Sequence, residues 1–156
     1  MEIERKYLVK KEVWQLFDKP AGEKIIQGYL STDINKTIRV RLKGSSGFMT
    51  IKGKTDNISR EEIEFPVPAG QVMEIIEKFS EGVIDKIRYT LSCEGKIWEV
   101  DEFMDDNEGL LLAEIELQSE DESFDLPEWV GPEVSHDIRY FNSNLSKKPF
   151  KNWNNK

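Results

Sequence analysis

Ile38-Arg39-Val40-Arg41-Leu42-Lys43 alternates apolar and basic side chains without interruption. Residues i and i+2 of a β-strand share a face. Arg39, Arg41 and Lys43 therefore project to one side, and Ile38, Val40 and Leu42 to the other. The same period of two runs through roughly 2–9, 25–32, 36–43, 47–54, 59–67, 85–93, 96–103 and 110–118, about eight strands. Gly44-Ser45-Ser46-Gly47 and Glu94-Gly95 have the composition of tight turns, so the strands they join are antiparallel neighbours.

Helical spacing is clearest where Val72, Ile75, Ile76 and Phe79 fall at i, i+3, i+4 and i+7 before Gly82. A shorter helix near 11–18 carries Val13, Trp14 and Phe17. Pro127, Gly131 and Pro132 break the chain, and Ser135 then caps a helix to about residue 145 with Ile138, Phe141 and Leu145 on its apolar face. These elements predict one α+β domain over 1–146, followed by a loose polar tail, 147–156.

The chain has 156 residues, a length suited to one hydrophobic core. Its 22 Lys+Arg against 30 Asp+Glu give a net charge of −8, which disfavours a surface that grips duplex nucleic acid. Cys93 and His136 are the only residues of their kinds, so neither an internal disulfide nor a cysteine/histidine zinc cluster is available. Any metal must be held by oxygen. No apolar stretch of signal or membrane-spanning length is present, and the expected location is the cytoplasm, with no membrane partner.

The charged faces carry the functional information. Same-sign pairs at i, i+2 recur as Glu2/Glu4, Arg39/Arg41, Glu62/Glu64, Lys86/Arg88, Glu99/Asp101 and Glu114/Glu116. A solvated sheet face mixes its signs, because like charges about 7 Å apart repel without compensation. Carboxylate clusters suit divalent cations, and Arg/Lys clusters suit phosphate oxygens. Both together suit a metal–polyphosphate complex. Eight antiparallel strands are enough to close a barrel around one small ligand. With the charges inward and the apolar faces outward against the helices, the expected fold is a closed eight-stranded tunnel, whose desolvation cost only water, metal and ligand offset.

Glu2-Ile3-Glu4-Arg5-Lys6 resembles the first-strand hallmark of the CYTH superfamily, the triphosphate tunnel metalloenzymes. It is joined in family order by Arg39-Val40-Arg41, Thr50-Ile51-Lys52-Gly53, Glu62 and Glu64, Lys86-Ile87-Arg88, Trp98-Glu99-Val100-Asp101 and Glu114-Ile115-Glu116. The likeness is strongest to short bacterial tripolyphosphatases, down to Gln27-Gly28-Tyr29-Leu30 and His136-Asp137-Ile138-Arg139-Tyr140. It implies a hydrolase acting on a small triphosphate with two divalent ions, Mg²⁺ or Mn²⁺. Glu2, Glu4 and Glu116 are the implied ligands of the first ion, and Asp101 and Glu114 of the second. Lys6, Arg39, Arg41, Lys52 and Arg88 are the implied phosphate clamp. Lys86 is implied to orient or deprotonate the attacking water beside Arg88, with Glu62, Glu64, Glu99 and Tyr29 in support.

The superfamily also contains thiamine triphosphatases, RNA triphosphatases and class IV adenylate cyclases, so the substrate stays open, as does a homodimer. A non-catalytic polyphosphate-binding module is the reading outside enzymes, and the acidic strands speak against it because they would repel its ligand. Gly53-Lys54-Thr55 lacks the earlier glycine of a P-loop, since position 48 is Phe. Ser135-His136-Asp137 are consecutive and cannot converge as a triad. Cys93 reads as buried and inert, Trp129 and Trp153 as packing or tail residues.

Overall fold

The computed structural model describes residues 1–154. Ten strands are present among them: β1 Glu2–Val9, β2 Glu23–Asp33, β3 Lys36–Lys43, β4 Ser46–Gly53, β5 Ser59–Arg60, β6 Glu62–Val67, β7 Gly82–Cys93, β8 Lys96–Phe103, β9 Leu111–Glu116 and β10 Val130–Glu133. The helices are α1 Lys11–Leu16, α2 Ala69–Phe79 and α3 Asn142–Leu145. Single 3₁₀ turns occupy Asp105–Asn107, Ile138–Tyr140 and Phe150–Asn152.

All strand pairs are antiparallel, in the order β10-β1-β9-β8-β7-β2-β3-β4-β6. The expected closed barrel of eight strands is corrected on both counts. The hydrogen-bonded path has two ends, and the strands number ten. The fifth expected strand divides at Glu61: β6 stays on β4, while β5 crosses to pair Ser59 and Arg60 with Ile3 and Glu2. That crossing draws the two sides of the sheet together at one point. The other addition, β10, lies at the edge beside β1, where a proline such as Pro132 is tolerated because no neighbour needs its N–H.

The turns are as expected. Gly44 has φ +58, and Glu94 and Gly95 have φ 51 and 76, the left-handed pair that lets a two-residue hairpin follow the twist of its strands.

The outer, apolar faces are covered. Trp14 of α1, Trp98 and Trp129 pack edge to face, Trp129 lying 5.3 Å from Trp14 and 5.6 Å from Trp98. They form one core with Tyr7, Val100, Ala113 and Ile115. On the other flank Val72 and Ile76 of α2 pack on Val40.

The C-terminal third departs from the sequence reading. The helix expected over 135–145 is a 3₁₀ turn capped by Asp137, followed by the four residues of α3. Ser135 caps nothing; its Oγ accepts the Lys6 backbone N–H at 2.9 Å. Leu145 is fully buried with Tyr29, Ile84, Phe103, Leu110 and Leu112. The tail is packed over its described part: the Phe150 N–H donates to Asn107 Oδ1 at 2.8 Å, and Trp153 lies 5.2 Å from both Tyr140 and Phe150. Residues 155 and 156 lie outside the described residues. Cys93 is half-buried rather than buried. No helix is long and apolar enough to cross a membrane among the described residues.

Gly47 shows how tightly α2 and the sheet are joined. A Cβ there would sit 2.4 Å from the Val67 carbonyl oxygen and 2.7 Å from Val72 Cγ2. Backbone cannot give way as a flexible side chain does, so Gly47→Ala is expected to lower stability by about 1–3 kcal/mol. Gly70→Ala, with open space around its new methyl, is expected to leave stability unchanged or slightly raised. Denaturant melts of the two variants check this; equal behaviour would contradict the packing described.

Candidate active site

The inner, charged faces of the strands line one cavity of about 320 Å³. Glu2, Glu4 and Lys6 enter it from β1, Arg39 and Arg41 from β3, Lys52 from β4, and Glu62 and Glu64 from β6. Lys86 and Arg88 come from β7, Glu99 from β8, Glu114 and Glu116 from β9, and Tyr29 from β2. Each follows from strand parity, and each was expected in the site.

Asp101 is the exception. It is 2% exposed and does not line the cavity. Arg88 donates from Nε to Asp101 Oδ1 at 2.8 Å and from Nη2 to Oδ2 at 2.9 Å, and Lys86 Nζ stands 2.8 Å from Oδ2. Both oxygens are taken by cations, so Asp101, expected as a metal ligand, stands here as the buried anchor of two basic side chains. Burial alone would raise its carboxyl, but Arg88 and Lys86 outweigh burial and hold it far below the usual carboxylate range. Burial drives the Lys86 amine down to about 7, against the pull of Asp101 and with the push of Arg88 and Arg41.

The acidic wall is crowded. Glu4 lies directly opposite Glu116 across β1 and β9, and Glu99 opposite Glu114 across β8 and β9. Burial, then the charges of Glu114 and Glu2, pushes Glu4 well above the usual carboxylate range. Glu62 is raised to about 7 by burial and by its hydrogen bond with Glu2. Two carboxylates are compensated instead. Glu2 lies 3.2 Å from Lys52; burial raises its carboxyl, but Lys52 and the hydrogen bond with Glu62 together bring it below its usual value. Glu114 lies 3.6 Å from Lys6; burial raises it, but Lys6 and Arg88 bring it to about 2.

The basic wall is under-partnered. Nε of Arg39 and Nε of Arg41 are buried with no hydrogen-bond partner. Arg39 reaches only to 4.0 Å from Glu64, whose carboxylate already accepts the Thr50 hydroxyl at 2.6 Å. Burial, then Arg39 and Arg88, lowers Arg41 to about 10. A buried N–H without an acceptor costs roughly 1–3 kcal/mol, so two neighbouring guanidiniums in this state are poised for an anion.

Several residues that line the site were not found in the sequence, among them Arg60, Asn142 and Phe141. Arg60 lines the cavity from β5; it falls within the 59–67 segment and shares parity with Glu62 and Glu64, so following that face back by one more position would have found it. Asn142 and Phe141 reach the cavity from the C-terminal segment, where no periodicity points inward. A second, more apolar cavity of about 260 Å³ adjoins the first, sharing Arg60 and Phe141 and bordered by Ile34, Ile138, Lys147 and Lys148.

An inverted sheet with opposed carboxylate and guanidinium walls is the arrangement implied by the resemblance above. The chain belongs to the family of the CYTH domain, whose model matches residues 1–148. It is 46% identical to the inorganic triphosphatase of Acetivibrio thermocellus over 97% of each chain. It is 36% identical to the inorganic triphosphatase of Nitrosomonas europaea over 93% of this chain and 96% of that protein. Among solved structures, the crystal structure of an inorganic triphosphatase superposes with a TM-score of 0.65 at 32% identity, covering 92% of this chain and 96% of that one.

The crowding of the acidic wall is testable without substrate. Glu4→Gln removes the ionisable carboxyl that Glu2, Glu114 and Glu116 crowd. In chelator at neutral pH the variant is expected to match wild type or exceed it by about 1–2 kcal/mol, the scale of a carboxylate pair about 7 Å apart at intermediate dielectric. A clear loss in a thermal melt would show that Glu4 is stabilised where it stands.

Proposed function

We propose that this chain hydrolyses a small linear triphosphate, inorganic tripolyphosphate first, with divalent ions held between its acidic wall and the substrate. The observation that carries this reading is the pair of orphaned buried Nε donors of Arg39 and Arg41 facing a carboxylate wall across one cavity. A pure anion receptor gains nothing from that opposing wall. A metal–polyphosphate complex satisfies both.

The donor set fits Mg²⁺ or Mn²⁺. Its oxygens are hard, and Glu4 and Glu116 face each other in register. Among the described residues no three acidic, histidine or cysteine side chains already form a cage. A bound ion would have to draw these carboxylates together, and it would take the rest of its shell from water and phosphate. Glu2, Glu4 and Glu116 would hold one ion, and Glu114 a second. The bound ions would neutralise phosphate charge and polarise the terminal phosphorus.

The protein's own side chains do the positioning. Arg39 and Arg41 supply planar forks to phosphate oxygens, and Lys6 and Lys52 supply point charges. Arg88, fixed by Asp101 and by Glu99 at 3.3 Å, contributes a charge that does not move. Lys86 faces the water that attacks the terminal phosphorus in line, and the phosphoanhydride bond breaks to leave pyrophosphate and orthophosphate. No protein nucleophile is needed. Glu62 and Glu64 hold the cations in place, and Tyr29 completes the wall. The working unit in this reading is residues 1–146, acting in the cytoplasm on a free small molecule.

One observation favours a second reading. The adjoining cavity, with Ile34, Ile138 and Phe141 beside Lys147 and Lys148, has room for an organic group on one end of a triphosphate. Thiamine triphosphatase and adenylate cyclase activities fall within this alternative.

With Mg²⁺ or Mn²⁺, purified protein is expected to release phosphate from tripolyphosphate much faster than from ATP or pyrophosphate, and hardly at all from p-nitrophenyl phosphate. Comparable turnover of the monoester would refute the clamp, and cyclic AMP as the main product from ATP would establish the second reading. Arg39→Ala and Arg41→Ala are each expected to lose roughly 10²–10³ in kcat/KM, the scale for removing one aligned donor. Lysine at either position should restore little; near-normal rates for both lysine variants would mean that the forks are not used.

A further inference from the structure

Lys86 is 1% exposed at the base of the cavity wall. Its Nζ stands 2.8 Å from Asp101 Oδ2 and donates to Asn142 Oδ1, also at 2.8 Å. The ring of Phe103 lies 5.6 Å away. Asn142 Oδ1 accepts a second hydrogen bond, from Gln27 Nε2 at 3.2 Å, and the same nitrogen donates to Tyr29 Oη at 2.9 Å. One amide oxygen therefore ties side chains of β2 and β7 to α3.

A lysine nitrogen has four tetrahedral directions. One is the bond to Cε, and Asp101 and Asn142 claim two more. We propose that Asn142 is a positioning residue for the reaction: with Asp101 it holds two directions of Lys86 Nζ, and so aims the remaining one into the cavity at the water or the phosphate oxygen. As an ammonium, that direction carries an N–H for phosphate; as an amine, it carries the lone pair for a water proton. The same aim serves both.

Asn142 is built for this task. It begins α3, and Leu145 three residues later is fully buried in the apolar end of the sheet. The amide is thus mounted on a packed element rather than on a free loop. Without it Lys86 keeps Asp101 alone and swings about that contact. The inference rests on the hydrolase reading above and adds to it a residue contributed by the C-terminal segment.

Asn142→Leu keeps the bulk and removes the acceptor. For tripolyphosphate with Mg²⁺, kcat is expected to fall roughly 10- to 100-fold, the cost of a small misplacement at a reacting centre, with KM changed less than about threefold. Asn142→Asp restores an acceptor and should recover most of the lost kcat. Combined with Lys86→Met, Asn142→Leu should cost nothing beyond the single Lys86 change, because the two act as one unit. A loss confined to KM, an additive double variant, or an aspartate variant as slow as leucine at wild-type stability would each overturn the proposal. If melting curves show that the leucine variant is misfolded, Asn142→Ser takes its place, being too short to reach Nζ.

The side-chain ¹⁵N resonance of Lys86 separates this proposal from the reading it rests on. It should move between wild type and Asn142→Leu whether or not substrate is turned over. An unmoved resonance overturns the contact; a wild-type protein that releases no phosphate from tripolyphosphate overturns the hydrolase reading instead.

Discussion

Lys86, Arg88 and Asp101 are each less than about a tenth exposed, buried by their own sheet rather than by a separate core. A buried carboxylate is tolerable only when its charge and its lone pairs are both satisfied. Asp101 meets that condition by taking Arg88 on both oxygens and Lys86 on one. This cluster constrains the rest of the fold. Because most of the inner face is given over to charge, much of the hydrophobic stabilisation has to come from the outer faces, which must be covered. Hence the tryptophans of α1, β8 and the 124–130 segment on one flank, and α2 on the other.

The two walls are not symmetric. Asp101, Glu114 and Glu2 are satisfied by lysine or arginine, so their charges persist without a ligand. Glu4, Glu62 and Glu116 are each raised by burial, and neighbouring carboxylates add to that rise. Arg39 and Arg41 keep orphaned N–H groups. Satisfied charges fix the scaffold, whereas unsatisfied ones store an unfavourable energy that a ligand of opposite sign relieves. The division is not one of depth alone: Asp101 lies beneath the wall, whereas Glu2 and Glu114 face the cavity and are paired there. An inverted sheet can therefore be rigid and receptive together.

Strand parity made most of this legible, because a period of two assigns each side chain to a face whatever its partner. What parity lacks is depth. Glu99 and Asp101 share a face of β8, yet Glu99 lines the cavity and Asp101 lies beneath it. The hairpin held part of the answer. A two-residue turn at Glu94-Gly95 pairs Cys93 with Lys96, and counting back from that pair sets Arg88 opposite Asp101. The division of β5 from β6, the edge strand β10 and the path of the last residues had no such local signal. They rest on distant contacts, such as the Val134 N–H donating to the Lys6 carbonyl and the Lys6 N–H donating to Ser135 Oγ, and Pro132 and Pro127 argued locally against them.

Those distant contacts carry the chemistry as well as the fold. The inner face is layered: along β7 the order is Ile84, Lys86, Arg88, and along β9 it is Leu112, Glu114, Glu116, apolar at one end and charged at the other. α3 lies across the boundary between the layers. Leu145 joins the apolar cluster, while Asn142, one helical turn earlier, reaches Lys86 in the charged one. Residues one turn apart on a helix share a face, so seating Leu145 also sets the position of the Asn142 amide. The packing that ends the sheet and the hydrogen bond that aims its buried lysine are thus the same structural event.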